Sequence, residues 1–176
     1  MADAHDWRMK VSDATILMIG DRAPLDDGHW LARWAGRLST AIQVPDHPSN
    51  DPLPDLITGA QSPVIAVAYR DGVERLIRHA GTADGEPGVR GAFLVAPPSG
   101  TPLEDRVDPL PFPSVLVASR DDPDCEFDRA EEMGARWGSH VVDAGEAGRL
   151  DGASGRGPWP EGLMVFAKFL SNLPRD

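Results

Sequence analysis

The segment from residue 63 to residue 77 constrains the fold of this chain more than any other. It begins with an apolar, β-branched run of strand length, Pro63–Ala68, and then changes directly to a helical spacing of apolar residues. The turn between the two parts contains Arg70, and two small residues, Ala68 and Gly72, stand on either side of it. Small residues allow a tight turn and let the next helix pack close to the strand. The segment therefore predicts a strand, a sharp turn at Arg70 and a helix.

Strand and helix patterns alternate along the rest of the chain. The run at 15–19 is wholly apolar, as expected of a strand buried on both faces of a parallel sheet. The predicted strands are 15–19, 41–44, 63–68, 91–96, 114–118 and 140–143, and the predicted helices are 29–38, a single turn at 55–57, one from the turn at Arg70 to His79, 127–137 and 163–170. This alternation is typical of an α/β protein with a doubly wound parallel sheet.

The composition favours one soluble domain. A chain of 176 residues with 41% hydrophobic residues is long enough for one core, so residues 13–176 are predicted to form a single domain after a flexible, polar segment at 1–12. The formal net charge of −11 argues against nucleic acid and anionic membranes as partners, because both need a basic surface. No apolar run reaches the roughly 18 residues that suggest a membrane-spanning helix.

The N-terminal region and the single cysteine, Cys125, indicate a cytoplasmic protein. Residues 1–8 lack the apolar core of a signal peptide, and one cysteine excludes an internal disulfide. The sequence also predicts no metal site and no cofactor, because its histidines are scattered without the spacing of metal ligands. These histidines are His5, His29, His47, His79 and His140.

Three motifs follow one another in an order and at a spacing that resemble one known family. His29–Trp34 reads H-W-x-x-R-W after the first predicted strand, Val115–Pro123 forms the fifth strand with an acidic loop, and Gly155–Gly162 reads G-x-G-x-W-P-x-G. Together with Leu94–Pro98, they resemble the small serine hydrolases of the retinoblastoma-binding-protein-9/YdeN type. The resemblance implies a minimal α/β-hydrolase fold, with six parallel strands in the order 2-1-3-4-5-6, helices on both faces and no lid domain.

Some motif residues have a structural interpretation. The resemblance implies that Trp30, Trp34 and Trp159 pack the first helix and the C-terminal tail onto the sheet, the alternative being an aromatic binding surface. His29 opens the first helix, and we expect it to cap or pack that helix. Neither interpretation gives these residues a chemical role.

The residues at the family's catalytic positions depart from its pattern. Arg70 stands where the resemblance puts the nucleophilic serine, with Tyr69 before it, and Arg149 stands where it puts the catalytic histidine. Asp21 replaces a glycine of the oxyanion loop, and only the acid, Asp122, is retained. A guanidinium has no lone pair for attack, and acyl transfer needs serine and histidine together. The resemblance therefore implies a catalytically degenerate hydrolase, a pseudoenzyme with a binding or regulatory role.

Two arrangements of the altered site are compatible with the sequence. Arg70 and Arg149 can form a clamp for a carboxylate or phosphate, with Asp122, Tyr69 and Asp21 as further binding residues. The favoured alternative is an internal salt bridge between Arg149 and Asp122, with Asp71 neutralising Arg70. The expected partner is a protein or a small anionic ligand. We also expect the change Arg70→Ala to leave folding intact, or to improve it if the turn strains a bulky residue into a positive φ.

A different function remains as the alternative, an active esterase that uses displaced catalytic residues. Its candidate nucleophiles are Ser62, Ser99, Ser119, Ser154 and Cys125. None of them has a histidine at a partner position that the motifs define. A lone cysteine more often packs in a core than reacts, and serines at strand ends usually bond to turns. The esterase therefore ranks second.

Overall fold

The fold centres on a sheet of six strands with helices on both faces. The computed structural model describes residues 8–46, 49–82, 88–100 and 109–174. The strands are β1 (Thr15–Ile19), β2 (Ala41–Val44), β3 (Val64–Tyr69), β4 (Val89–Val95), β5 (Ser114–Ala118) and β6 (His140–Asp143). The helices are α1 (Trp30–Arg37), α2 (Leu53–Thr58), α3 (Asp71–Thr82), α4 (Phe127–Trp137) and α5 (Pro160–Ser171), and a 3-10 turn at Val11–Asp13 precedes β1.

The strand order confirms the predicted architecture. The strands lie in the order β2-β1-β3-β4-β5-β6, and every neighbouring pair is parallel. Over the described ranges, no lid domain covers the sheet. Because all strands point the same way, the turns that follow them meet along one side of the sheet, which we call the carboxyl edge.

Each face of the sheet has its own apolar core, because side chains alternate along a strand. The first core lies under α2, α3 and α4, and the second lies under α1 and α5. All six residues of β3 are buried. Its side chains enter the two cores in turn, Val64, Ala66 and Ala68 the first and Ile65, Val67 and Tyr69 the second. This double burial is the physical reason for the uninterrupted apolar runs in the sequence.

Three motif tryptophans form the centre of the second core. Trp30, Trp34 and Trp159 are 0%, 3% and 4% exposed. The ring of Trp30 packs edge-on against Trp34 and Trp159 at centroid distances of 4.8 and 4.9 Å, and Trp34 stacks on Trp159 at 5.9 Å. The indole Nε1 of Trp30 donates a hydrogen bond to the carbonyl of Leu150 at 2.8 Å. The packing interpretation of these residues is confirmed, and an aromatic binding surface is not formed.

Three helices are longer than the sequence pattern predicts. Helix α2 continues to Thr58, α3 continues through Gly81 to Thr82, and α5 begins at Pro160. A proline in the first turn of a helix loses no hydrogen bond, and one glycine near a helix end costs only about 1 kcal/mol. Such signals therefore do not mark the ends of helices sharply. Within the described ranges, no helix combines the length and apolar character that a membrane span requires.

The predicted flexible segment at 1–12 lies partly outside the described residues, which begin at Arg8. Met9 is only 2% exposed and packs in the second core, and its backbone N–H donates to the carbonyl of Leu173 at 3.2 Å. Arg8 forms an isolated antiparallel bridge with Pro174. Arg8 and Met9 therefore contact the C-terminal end of the chain, with Met9 as the apolar anchor.

Candidate functional site

The turn between β3 and α3 has the sharp geometry that the sequence predicts. Arg70 stands at its apex with a φ of +52°, in the left-handed region that residues with a Cβ rarely adopt. The backbone N–H of Arg70 donates to the carbonyl of Val95, and its own carbonyl accepts from Val73. Gly72 lies against the end of β1, where an added Cβ would be 2.1 Å from the carbonyl oxygen of Ile19. Only glycine fits this approach, so Gly72 sets how closely α3 begins beside β1.

The residues singled out in the sequence lie together at the carboxyl edge. Asp21 follows β1, Arg70 follows β3, Asp122 follows β5 and Arg149 lies in the loop after β6. Arg70 Nε is 3.3 Å from a carboxylate oxygen of Asp21. The connection between Arg70 and Arg149 is made by Asp124, which the sequence analysis did not identify.

Asp124 bridges the two arginines through a single oxygen. Its Oδ2 is 3.0 Å from Arg70 Nη2 and accepts a hydrogen bond from Arg149 Nε at 2.6 Å. The hydrogen bond from Arg149, supported by the charge of Arg70, lowers the pKa of the Asp124 carboxyl. Asp21, Arg70, Asp124 and Arg149 thus form one chain of ion pairs, which we call the ion-pair network.

The predicted pairing of Arg149 with Asp122 is wrong. Asp122 is 8% exposed, and its Oδ1 accepts a hydrogen bond from the backbone N–H of Asp124 at 2.9 Å. Burial raises the pKa of the Asp122 carboxyl. Asp122 therefore folds back onto its own loop, and this turn presents Asp124, two residues later, to the arginines.

The predicted neutralisation of Arg70 by Asp71 is also wrong. The Asp71 carboxylate pairs with Arg22 Nε at 3.7 Å, and Asp21 takes its place beside Arg70. Asp71 is the first residue of α3, so its side chain faces the loop after β1 rather than the guanidinium next to it in sequence. Burial and the nearby Asp71 carboxylate raise the pKa of Asp21, although the positive charge of Arg70 opposes this.

The side chain of Arg70 is largely enclosed, with 17% exposure. Its Nε and Nη2 are used by Asp21 and Asp124, whereas Nη1 is buried and has no hydrogen-bond acceptor among the described residues. The side chain of Arg149 is less enclosed than that of Arg70, because half of it is exposed. Asp21 also lines a cavity of about 530 Å³ with the loop from Gly20 to Leu25 and the end of β2. The network is therefore open to solvent from two sides.

Tyr69, one of the predicted binding residues, makes a structural contact. The residue is 2% exposed, and its hydroxyl donates a hydrogen bond to the backbone carbonyl of Arg149 at 2.9 Å. Burial raises the pKa of this hydroxyl far above its ordinary value. The neighbouring carbonyl of Leu150 is held by Trp30. Two side chains thus fix the backbone of the loop that carries Arg149.

The candidate displaced nucleophiles have structural hydrogen bonds. Ser119 Oγ donates to Asp121 at 2.7 Å, Ser154 Oγ donates to Asp151 at 2.6 Å, and Ser99 Oγ donates to the carbonyl of Asp124 at 2.7 Å. The remaining candidates are Ser62, which bonds to the hydroxyl of Thr15, and the buried Cys125. Across the described ranges, no serine hydroxyl forms a hydrogen bond with a histidine ring.

His29 caps α1, as expected. Its Nδ1 accepts a hydrogen bond from the backbone N–H of Leu31 at 3.2 Å, and its ring packs on Tyr69 at a centroid distance of 4.7 Å. An accepting Nδ1 leaves the proton of the neutral ring on Nε2, which is buried without a partner among the described residues. His5 and His47 lie outside the described residues, and those described contain no group of three or more side chains suited to a metal ion.

The buried His29 predicts a loss of stability in mild acid. Burial lowers the pKa of His29 below its ordinary value of 6.5, although the charges of Asp26 and Asp151 oppose this. Below pH 6.5 the unfolded chain therefore binds more protons at this site than the folded chain, so the free energy of unfolding decreases as the pH falls. Urea unfolding between pH 7 and pH 5 measures this slope. The variant His29→Asn retains a capping group without a titrating ring, and an equal slope in it would assign the effect elsewhere.

Comparison with known proteins relates this geometry to a family. The structure is similar to a protein designated YdeN-like hydrolase from Pectobacterium atrosepticum, with 28% sequence identity, a TM-score of 0.82, and coverage of 93% of this chain and 95% of that chain. It is also similar to the ydeN gene product of B. subtilis, with 14% identity, a TM-score of 0.73, and coverage of 89% and 98%. Thermogutta terrifontis esterase 2, phosphorylated by paraoxon, matches with 12% identity, a TM-score of 0.67, and coverage of 96% and 85%.

The two likenesses at lower identity show the fold alone, and a search of curated proteins finds no significant match. The family is shown by the sequence itself. A model of the family described as Serine hydrolase matches residues 22–168, which include the turn at Arg70, the acidic loop and Arg149. The chain therefore belongs to the serine hydrolase family.

Proposed function

We propose that this chain is a catalytically degenerate serine hydrolase, a pseudoenzyme whose former active site has a binding or regulatory role. The observation that carries the proposal is the state of Arg70. This residue occupies the apex of the turn after β3, and it is engaged by Asp21 and Asp124 on two of its nitrogen atoms. A side chain without a lone pair, held between two carboxylates, does not supply a nucleophile.

The chemistry of the remaining positions supports the same proposal. Arg149 is hydrogen-bonded through Nε to Asp124, and its guanidinium stays protonated, so it accepts no proton from an attacking group. Asp122, which would orient a histidine in a triad, bonds to the backbone of its own loop. The proton-transfer route of acyl transfer thus lacks both its base and the group that orients it.

The proposed partner is a protein or a small anionic ligand at the carboxyl edge. The guanidinium of Arg149 is half exposed there, and the amino-terminal end of α3 begins beside Arg70, so both positive charge and backbone N–H groups are available. We assign the protein to the cytoplasm, because Cys125 is a buried free thiol, which fits a reducing compartment.

Labelling with a fluorophosphonate probe tests the proposal. The probe reacts with activated serines, and a parallel assay follows hydrolysis of p-nitrophenyl acetate. We expect no labelling and no turnover above buffer for the wild-type protein and for Arg70→Ala. The double variant Arg70→Ser/Arg149→His provides a nucleophile and a base on the same backbone, and it is the matched positive control for access of the probe to this edge.

Equal labelling of the wild-type protein and Arg70→Ala would contradict the proposal. It would mean that another residue acts as the nucleophile and that the chain is an esterase with displaced catalytic residues. Mass spectrometry of the labelled protein would then identify the modified residue. The serines of the described loops are the first candidates, Ser99, Ser119 and Ser154 among them.

A further inference from the structure

The position of Asp124 between two guanidinium groups leads to a further inference about the altered site. We propose that Arg70 and Arg149 form a carboxylate-binding clamp that Asp124 occupies as an internal ligand, so that an external carboxylate binds by exchanging with it. The inference deepens the proposed binding role and rests on it.

The three members of the clamp come from separate parts of the fold. Arg70 follows β3, Asp124 lies in the loop after β5, and Arg149 lies in the loop after β6. Arg70 is also paired with Asp21, and the backbone carbonyl of Arg149 accepts a hydrogen bond from Tyr69, so neither of these contacts depends on Asp124. The Arg70 guanidinium and the Arg149 backbone therefore have supports that remain when the carboxylate of Asp124 leaves.

The carboxylate of Asp124 is free to leave without moving its backbone. Ser99 donates two hydrogen bonds to the Asp124 carbonyl, from its backbone N–H at 3.2 Å and its hydroxyl at 2.7 Å. The Asp124 N–H donates to Asp122. These bonds fix the main chain, whereas the side chain is one-third exposed and reaches solvent by rotation about its own bonds.

An incoming carboxylate finds more donors than Asp124 uses. Asp124 meets both guanidiniums through one oxygen, Oδ2, at Arg70 Nη2 and Arg149 Nε. Arg70 Nη1 remains buried and without an acceptor among the described residues. A buried donor of this kind is rare in folded proteins and marks a place where an acceptor is expected. A ligand whose two oxygens bond to Arg70 in the parallel, two-point manner would satisfy it.

The charges around the clamp favour a ligand that replaces Asp124 over one that binds beside it. They also favour a carboxylate over a phosphate. Asp21, Asp71 and Asp122 already lie at this edge, and the raised pKa of Asp21 reflects burial beside another carboxylate. A second anion next to Asp124 would meet these like charges, whereas a monovalent carboxylate that takes the place of the Asp124 side chain leaves the charge between the two guanidiniums unchanged, because Asp124 carries its own charge out towards solvent. A phosphate dianion in the same place would make the charge between the guanidiniums more negative by one.

Removal of the internal carboxylate tests the inference. The variant Asp124→Asn keeps the size of the side chain without its charge, and Asp124→Ser serves if that variant does not fold. Titration with propionate at pH 7 and constant ionic strength is followed by NMR of the arginine Nε–H groups and by the melting temperature. We expect propionate to bind Asp124→Asn about tenfold or more tightly than the wild type, because an occupied clamp reduces the apparent affinity. Inorganic phosphate should bind this variant more weakly than propionate does.

Two control variants test whether the increase in propionate affinity comes from the clamp. Asp143 lies at the same edge and also accepts a hydrogen bond from an arginine, Arg120, at 2.8 Å, so Asp143→Asn removes a comparable charge outside the clamp. Its affinity for propionate should equal that of the wild type. The gain should also disappear when Arg149→Gln is added to Asp124→Asn.

Equal affinities in Asp124→Asn and Asp143→Asn would overturn the inference, as would tighter binding of phosphate than of propionate. The labelling experiment fails or succeeds separately from this titration. A wild-type protein that labels with the fluorophosphonate would overturn the pseudoenzyme proposal, while a propionate gain confined to Asp124→Asn would still establish the clamp. A protein that does not label and shows no such gain would retain the first proposal and lose the second.

Discussion

Replacing Gly72 by alanine is expected to destabilise the protein by about 3 kcal/mol or more. The added Cβ would lie 2.1 Å from the carbonyl oxygen of Ile19 and 2.9 Å from that of Gly20. Both contacts are with backbone atoms of β1 and the residue after it, so no side-chain rotation relieves them. Either α3 or the end of β1 has to move, and the central pairing of β1 with β3 opposes that movement. Urea unfolding followed by circular dichroism measures the loss.

The matched control is Gly36→Ala in α1. An added Cβ at Gly36 meets nothing within 4 Å, and the residue lies inside a helix. Alanine is favoured over glycine there by roughly 0.5–1 kcal/mol, so this variant is expected to be slightly more stable than the wild type. If both variants lost a similar amount of stability, the close approach at Gly72 would not be the cause.

Removing the guanidinium at position 70 is the second large effect, an expected loss of about 2 kcal/mol for Arg70→Ala. Breaking a fully buried pair costs about 3–5 kcal/mol, and partial exposure of Asp21 and Asp124 reduces that figure. This replaces the expectation from the sequence that the change leaves folding intact. The loss should shrink towards acid pH, because the lowered pKa of Asp124 stabilises the fold only while that carboxyl is ionised.

The variant Arg70→Gly separates the ion pairs from the backbone strain. It loses the same contacts, but glycine adopts a φ of +52° without the cost that a Cβ imposes there. We expect it to be about 1 kcal/mol more stable than Arg70→Ala. Adding Asp21→Asn to Arg70→Ala should recover part of the loss, because it removes a carboxylate left without its cation. No recovery in that double variant would mean that Asp21 is already neutral or well hydrated.

The architecture was accessible from the sequence because its cause is local and repeated. The bounds of β1, β2, β5 and β6 follow from short apolar runs that end at turn residues, and every predicted strand is present. The turn at Arg70 was predictable for the same reason, because small residues on both sides of one position between a strand and a helix indicate a tight turn. Helix ends were less accessible, because the proline and glycine at the ends of α5 and α3 are tolerated inside them.

The pairing within the site was not accessible, because it depends on how two short turns orient their side chains. Between residues 121 and 124 the sequence offers three carboxylates, and the motif draws attention to Asp122. Which one meets the arginines is decided by the hydrogen bond from the Asp124 N–H to Asp122, a three-dimensional property of the loop. The sequence did contain one usable indication, the two-residue spacing of Asp122 and Asp124. A carboxylate that caps a turn commonly accepts a hydrogen bond from the N–H two residues later. That rule would have directed Asp122 inward and Asp124 outward.

The stacking of Trp159 on Trp34 has a consequence for how the folding of this chain can be watched. The two rings are 5.9 Å apart and nearly parallel, yet they belong to the first helix and to the segment just before the last one. Their contact forms only after most of the chain has closed into a loop, which is a slow, entropically costly event in folding. The near-ultraviolet circular dichroism of these two indoles therefore reports when the C-terminal tail docks onto the first helix.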